Sequence, residues 1–100
     1  MAKWEKWGFG GRENENIETL KPCDGLEIIL TNMDRVPDWN IVISFNKGPI
    51  CFKQEYVAIP DPGEEYTWPV MRAKAEELAK EYLTALSDIA DSGLTALSEQ

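Results

Sequence analysis

Trp39-Asn40-Ile41-Val42-Ile43-Ser44-Phe45 is the stretch that decides the fold. Its odd-numbered positions are all large and apolar, with Asn40 and Ser44 between them. Side chains alternate faces along a strand, so this spacing predicts a half-buried strand whose bulky row needs a cover. The rest of the chain is assigned by asking what supplies that cover.

On the N-terminal side, Leu26-Glu27-Ile28-Ile29-Leu30-Thr31 repeats the pattern, with Leu26, Ile28 and Leu30 on the core row. The link from Met33 to Asp38 contains Pro37, which ends regular structure. On the C-terminal side, Asn46-Lys47-Gly48-Pro49 separates two apolar alternations and predicts a hairpin into a strand from Ile50 to Ala58. That strand puts Ile50, Phe52, Tyr56 and Ala58 on one face. Gln54 interrupts the row, which predicts either a bulge or a stretch of sheet left uncovered. Short connections of this kind join antiparallel neighbours.

The two flanks read less cleanly. Trp4, Trp7 and Phe9 fit neither the helical nor the strand period, and Gly8, Gly10 and Gly11 oppose a helix. Residues 1–12 are therefore expected to be an edge strand or an extended arm. Residues 13–25 are polar and finish in Pro22-Cys23-Asp24-Gly25, which is turn chemistry. They read as a loop from which Ile17 and Leu20 pack down.

Pro60, Pro62 and Gly63 break the segment from Ile59 to Tyr66. Thr67 can then cap a helix with Pro69 in its first turn, where the missing N–H does no harm. The helix is expected from Trp68 to Asp91, with Gly93 as its stop. Stepping residues by about 100° puts Met71, Ala75, Leu78, Ala79, Tyr82, Leu86 and Ile89 on one face. This is the cover for the Trp39–Phe45 row. Residues 94–100 are expected to add one turn or to fray. The reading is a single α+β domain over residues 1–100: an antiparallel β-meander of three to four strands with one long C-terminal helix packed on one face.

At 100 residues with 43% hydrophobic content, the chain is long enough for one core. Eighteen acidic residues against ten basic ones leave a net charge of −8. Such a surface repels phosphates and anionic headgroups, so direct nucleic-acid or membrane binding is disfavoured and a basic protein is the expected partner. No window has the apolar length of a membrane helix, and the charged N-terminus does not read as a signal peptide. A soluble, cytoplasmic protein with Cys23 and Cys51 reduced is expected.

Enzymatic roles find little to stand on. The absence of histidine removes imidazole bases and His-ligated zinc. Asp34 with Asp38, and Asp61 with Glu64 and Glu65, are close enough for paired-carboxylate chemistry, but their Pro- and Gly-rich surroundings favour solvated turns. Cys23 has no histidine to activate it, and Gly8-x-Gly10-Gly11 lacks the strand and helix of a phosphate loop. No segment carries the register of a calcium loop. We expect no catalytic residue, cofactor or metal.

The helix carries the more informative pattern. Glu76, Glu77, Glu81, Asp88 and Asp91 fall within an arc of about 140° opposite the core face. Lys80 is the last basic residue of the chain, and Asp88 and Asp91 approach the negative end of the expected helix. With Asp61, Glu64 and Glu65 they form the candidate surface for a basic partner. Trp4, Trp7 and Trp68 are secondary candidates, as partner or homodimer anchors or as peripheral core. Two other readings compete: nucleic-acid binding through Trp4, Trp7, Lys3 and Lys6, and self-association through an uncovered sheet face or edge.

In general character, being short, acidic, Trp-rich and a meander followed by a helix, the chain resembles the small accessory proteins that bacteriophages encode. Some of these, anti-CRISPR proteins among them, inhibit host defence or nucleic-acid machinery. The resemblance implies a stoichiometric inhibitor in the host-cell cytoplasm, imitating nucleic acid, and assigns no residue a role.

Overall fold

The computed structural model describes residues 2–9, 12–33 and 37–100, apart from the side chains at 9 and 12–15. Five strands run in chain order as one antiparallel sheet: β1 (Glu5–Phe9), β2 (Arg12–Cys23), β3 (Leu26–Thr31), β4 (Trp39–Lys47) and β5 (Ile50–Ala58). One helix is found among the described residues, α1 (Trp68–Ser98), and it lies over β3 and β4. The α+β meander with a covering helix is therefore as expected.

Directly opposed residues share a face of an antiparallel pair. Leu26 faces Phe45, Ile28 faces Ile43 and Leu30 faces Ile41. These six residues are all buried, with Trp39 beside them. Met71, Ala75 and Ala79 bury against them from above. The two alanines keep the helix backbone close to the sheet, so the strands supply the volume. Trp68 meets Trp39 edge to face at 4.8 Å, at the N-terminal end of the helix.

Two tight turns set the register at one end of the sheet. Gly25, with φ of 88°, closes the β2–β3 turn and accepts a hydrogen bond of 2.9 Å from the Asn46 N–H. Gly48, with φ of 58°, sits in the expected β4–β5 hairpin.

Four expectations need correction. The sheet has five strands rather than three to four. Residues 13–23 are not a loop but part of β2, with Asp24 and Gly25 in the expected turn; of the two readings of the N-terminal segment, the edge strand is the one found, as β1. The polar character of β2 hid the strand, because its core row carries Glu18 where an apolar residue would signal burial. Gly93 does not stop the helix, which continues to Ser98, so 94–100 is helical almost throughout. A lone glycine costs only about 1 kcal/mol in a helix, and Leu94-Thr95-Ala96-Leu97 tolerates continuation. Thr67 takes the N-cap position in extended conformation, but its side chain makes no capping hydrogen bond.

The length of α1 has a further effect. At roughly 1.5 Å per residue its 31 residues span about 46 Å. The nine residues of β4 span only about 30 Å. The last turns therefore project past the hairpin ends, and Ile89, expected on the core face, is 68% exposed. The helix also leaves β5 bare. Its pairing with β4 is regular, without a bulge at Gln54, and every residue but Ala58 is exposed. Of the two explanations for Gln54, the uncovered sheet is the correct one.

Candidate functional site

The outward face of α1 carries Glu76, Glu77, Glu81, Asp88 and Asp91, all exposed. The cations of the helix do not neutralise this face evenly. Arg72 turns down to Glu18 on β2, with Nε to Oε1 at 2.7 Å and Nη2 to Oε2 at 2.8 Å. Lys74 lies over the Tyr66 ring, 5.2 Å from its centroid. Lys80 stands 3.9 Å from Glu77 in an exposed pair, a contact worth a few tenths of a kcal/mol at about one helical turn's spacing. Beyond Lys80 the helix has no positive side chain.

Asp61, Glu64 and Glu65 are exposed in the loop that precedes α1. The Glu64 N–H donates to the Asp61 carbonyl at 2.9 Å around Gly63, whose φ is 90°, so the loop is a closed turn. At the helical rise, Asp91 stands roughly 35 Å from Trp68. The loop and the distal carboxylates therefore flank the two ends of one line and do not form one small patch. The longer helix also alters the electrostatic reading: Asp88 and Asp91 are two turns or more before its end, where the dipole has little effect. The unfavourable position is taken by Glu99 at the C-cap.

The tryptophans divide. Trp68 and Trp4 pack against the buried cluster, and the Trp4 Nε1 is buried without a hydrogen-bond partner among the described residues. Trp7 is 42% exposed on β1. Of the three, only Trp7 offers an aromatic face of the kind expected for a partner anchor.

Two features escaped the sequence reading. The first is the Glu18–Arg72 pair, which ties β2 to α1 across a separation of 54 residues. The two-pronged bond raises the Arg72 guanidinium above its ordinary pKa, the hydrogen bond to Glu18 first and its charge last, with burial opposing. No local pattern signals such a pair. The second is an apolar groove of about 620 Å³ between the distal half of α1 and the hairpin end of the sheet. Phe45, Ile50 and Phe52 form one wall, and Leu86, Ile89 and Ala90 the other. It exists because β5 is bare and α1 is long. Phe52 stacks on Phe45 at 4.7 Å but stays 41% exposed.

Cys23 and Cys51 are exposed, unbridged thiols. Among the described residues no group of three or more acidic or cysteine side chains is placed to hold a metal ion, and no helix is long and apolar enough to cross a membrane. Asp38 has its backbone carbonyl bound by Asn32 Nδ2 at 3.1 Å; Asp34, its expected carboxylate neighbour, lies outside the described residues.

The fold and surface define a class: a small α+β domain, one five-stranded meander under one long helix, acidic outside and bare along one edge strand. Comparison with protein-family models, curated proteins and solved structures yields no match.

Proposed function

We propose that the chain is a non-enzymatic protein-binding module, acting stoichiometrically as an inhibitor, whose acidic α1 face engages a basic surface on another protein in the cytoplasm. The observation that carries this reading is the run of exposed carboxylates on α1 with no cation after Lys80. A basic partner gains from this field at long range and loses it in salt.

Magnitude narrows what the face resembles. Duplex DNA carries about one charge per 1.7 Å of axis. The carboxylates Glu76, Glu77, Glu81, Asp88 and Asp91 average roughly one per 5–6 Å along the helix. The face is therefore too sparse to copy a duplex; it suits a partner presenting a few Lys or Arg side chains. An inhibitor of nucleic-acid machinery works on those terms by covering part of a basic groove. Nucleic-acid binding by the N-terminal arm is the weaker alternative, since Trp4 is committed to the core and of the two only Trp7 is exposed.

A low-salt gel shift tests the choice. The protein alone leaves a DNA duplex unretarded, and it displaces duplex from the basic partner it captures. Retardation of DNA by the protein alone contradicts the proposal.

A further inference from the structure

Met71, Ala75 and Ala79 bury the helix on the sheet. Eighteen residues on, about five turns at roughly 3.6 residues each, Ile89, Gly93 and Leu97 stand at the same headings around the helix. The first three are covered; Ile89 and Leu97 are 68% and 71% exposed, with Leu94 beside them at 66%. The apolar stripe therefore continues past the sheet with nothing over it. Gly93 occupies the place that Ala75 has in the packed half, where helix and sheet lie closest. A Cβ added at Gly93 meets nothing within 4 Å, so no contact within the chain calls for glycine there.

We propose that a second copy of the chain covers this stripe, the two projecting helix ends crossing antiparallel at Gly93. A glycine at the crossing lets two helix backbones approach closely. In that register Ile89 meets Leu97 of the other copy, and Ala90 meets Ala96. Asp88 lies level with Ser98, Asp91 with Thr95 and Glu99 with Ser87, all turned away from the crossing, so no carboxylate meets another. Leu97 of each copy reaches the groove walled by Phe52 and Ile89 of the other.

The exposed apolar area supplies most of what a dimer needs. At roughly 150–200 Å² for a fully exposed large side chain, the open fractions of Ile50, Phe52, Leu83, Ile89, Leu94 and Leu97 amount to about 500–650 Å² per copy. A stable interface takes about 800 Å² per partner, which the adjoining backbone and small residues complete. A lipid surface fits less well, because interfacial helices carry Lys and Arg on the polar face and this one carries carboxylates. The pairing does not depend on the acidic-face reading, and it leaves those carboxylates outward on both copies.

Light scattering across a roughly hundredfold concentration range tests it. The mass is expected to rise from 11.3 kDa toward twice that value. The Leu94→Gln, Leu97→Gln double variant is expected to stay monomeric with an unchanged far-UV spectrum, and Gly93→Leu to weaken association about tenfold or more. In a Cys23→Ser, Cys51→Ser background, mixing Ala90→Cys with Ala96→Cys chains is expected to give the mixed disulfide. A wild-type chain that stays monomeric overturns the proposal, as does a dimer that both helix variants leave intact. Sedimentation of a monomeric wild type with phosphatidylglycerol vesicles overturns it in favour of lipid.

Discussion

Glu18 on β2 and Arg72 on α1 are joined by two parallel hydrogen bonds of 2.7 and 2.8 Å, and they differ sharply in exposure. The Glu18 side chain is 6% exposed and that of Arg72 is 36%. Cutting the pair from either side therefore has unequal effects. Arg72→Ala leaves a buried carboxylate without its cation and is expected to cost roughly 2–4 kcal/mol. Glu18→Ala leaves a guanidinium that can turn to water and is expected to cost about 1–2 kcal/mol. Urea denaturation of the two variants checks the order; a larger loss for Glu18→Ala contradicts it.

The two hairpin glycines predict a second contrast. At Gly25 a Cβ would lie 3.0 Å from the Lys47 Cβ and 3.1 Å from the Asn46 carbonyl oxygen, in a backbone with φ of 88°. At Gly48 it would meet open space. Gly25→Ala is expected to destabilise by about 2–3 kcal/mol, combining strain with a clash, and Gly48→Ala by about 1 kcal/mol. Thermal melting of both variants measures the difference. Equal losses would mean that the close approach of the two turns carries no energetic weight.

Trp4 packs on the core with its Nε1 lacking a hydrogen-bond partner among the described residues. An unpartnered buried donor costs about 1–3 kcal/mol, whereas the ring's burial stabilises. Trp4→Phe removes the donor and keeps most of the ring, so the expected stability change is within about 1 kcal/mol of zero. Trp4→Ala is expected to cost about 2–3 kcal/mol, being only partly buried. A large loss on Trp4→Phe, measured by urea denaturation, would mean that the indole nitrogen is satisfied in solution.

The central part of the fold was legible in the sequence because burial there is one-sided and apolar. Leu26 to Leu30 and Trp39 to Phe45 alternate strictly, and their cover repeats at helical spacing from Met71 to Leu86. β2 was not legible, because its core row spends one position on Glu18, and the partner that makes this tolerable lies on the helix. The helix end was misread for a related reason: Gly93 reads as a stop only if its surroundings offer no reason to continue. β5 showed its register but not its exposure, since alternation reports which residues share a face and not whether anything covers it. The carboxylates of α1 were found on the outward face as expected, and their length-wise spread, with Asp88 and Asp91 well inside the helix, came only with its full extent.

The most direct test of the account is the combined Glu77→Lys, Glu81→Lys, Asp88→Lys variant, with binding and stability measured together. These side chains are exposed, so the melting temperature is expected to move by no more than a few degrees. Partner retention by the immobilised wild-type protein is expected to fall as salt rises, and to drop about tenfold or more in the variant at low salt. Retention by the reversed face equal to that of the wild type, with the fold intact, would contradict the assignment of this surface.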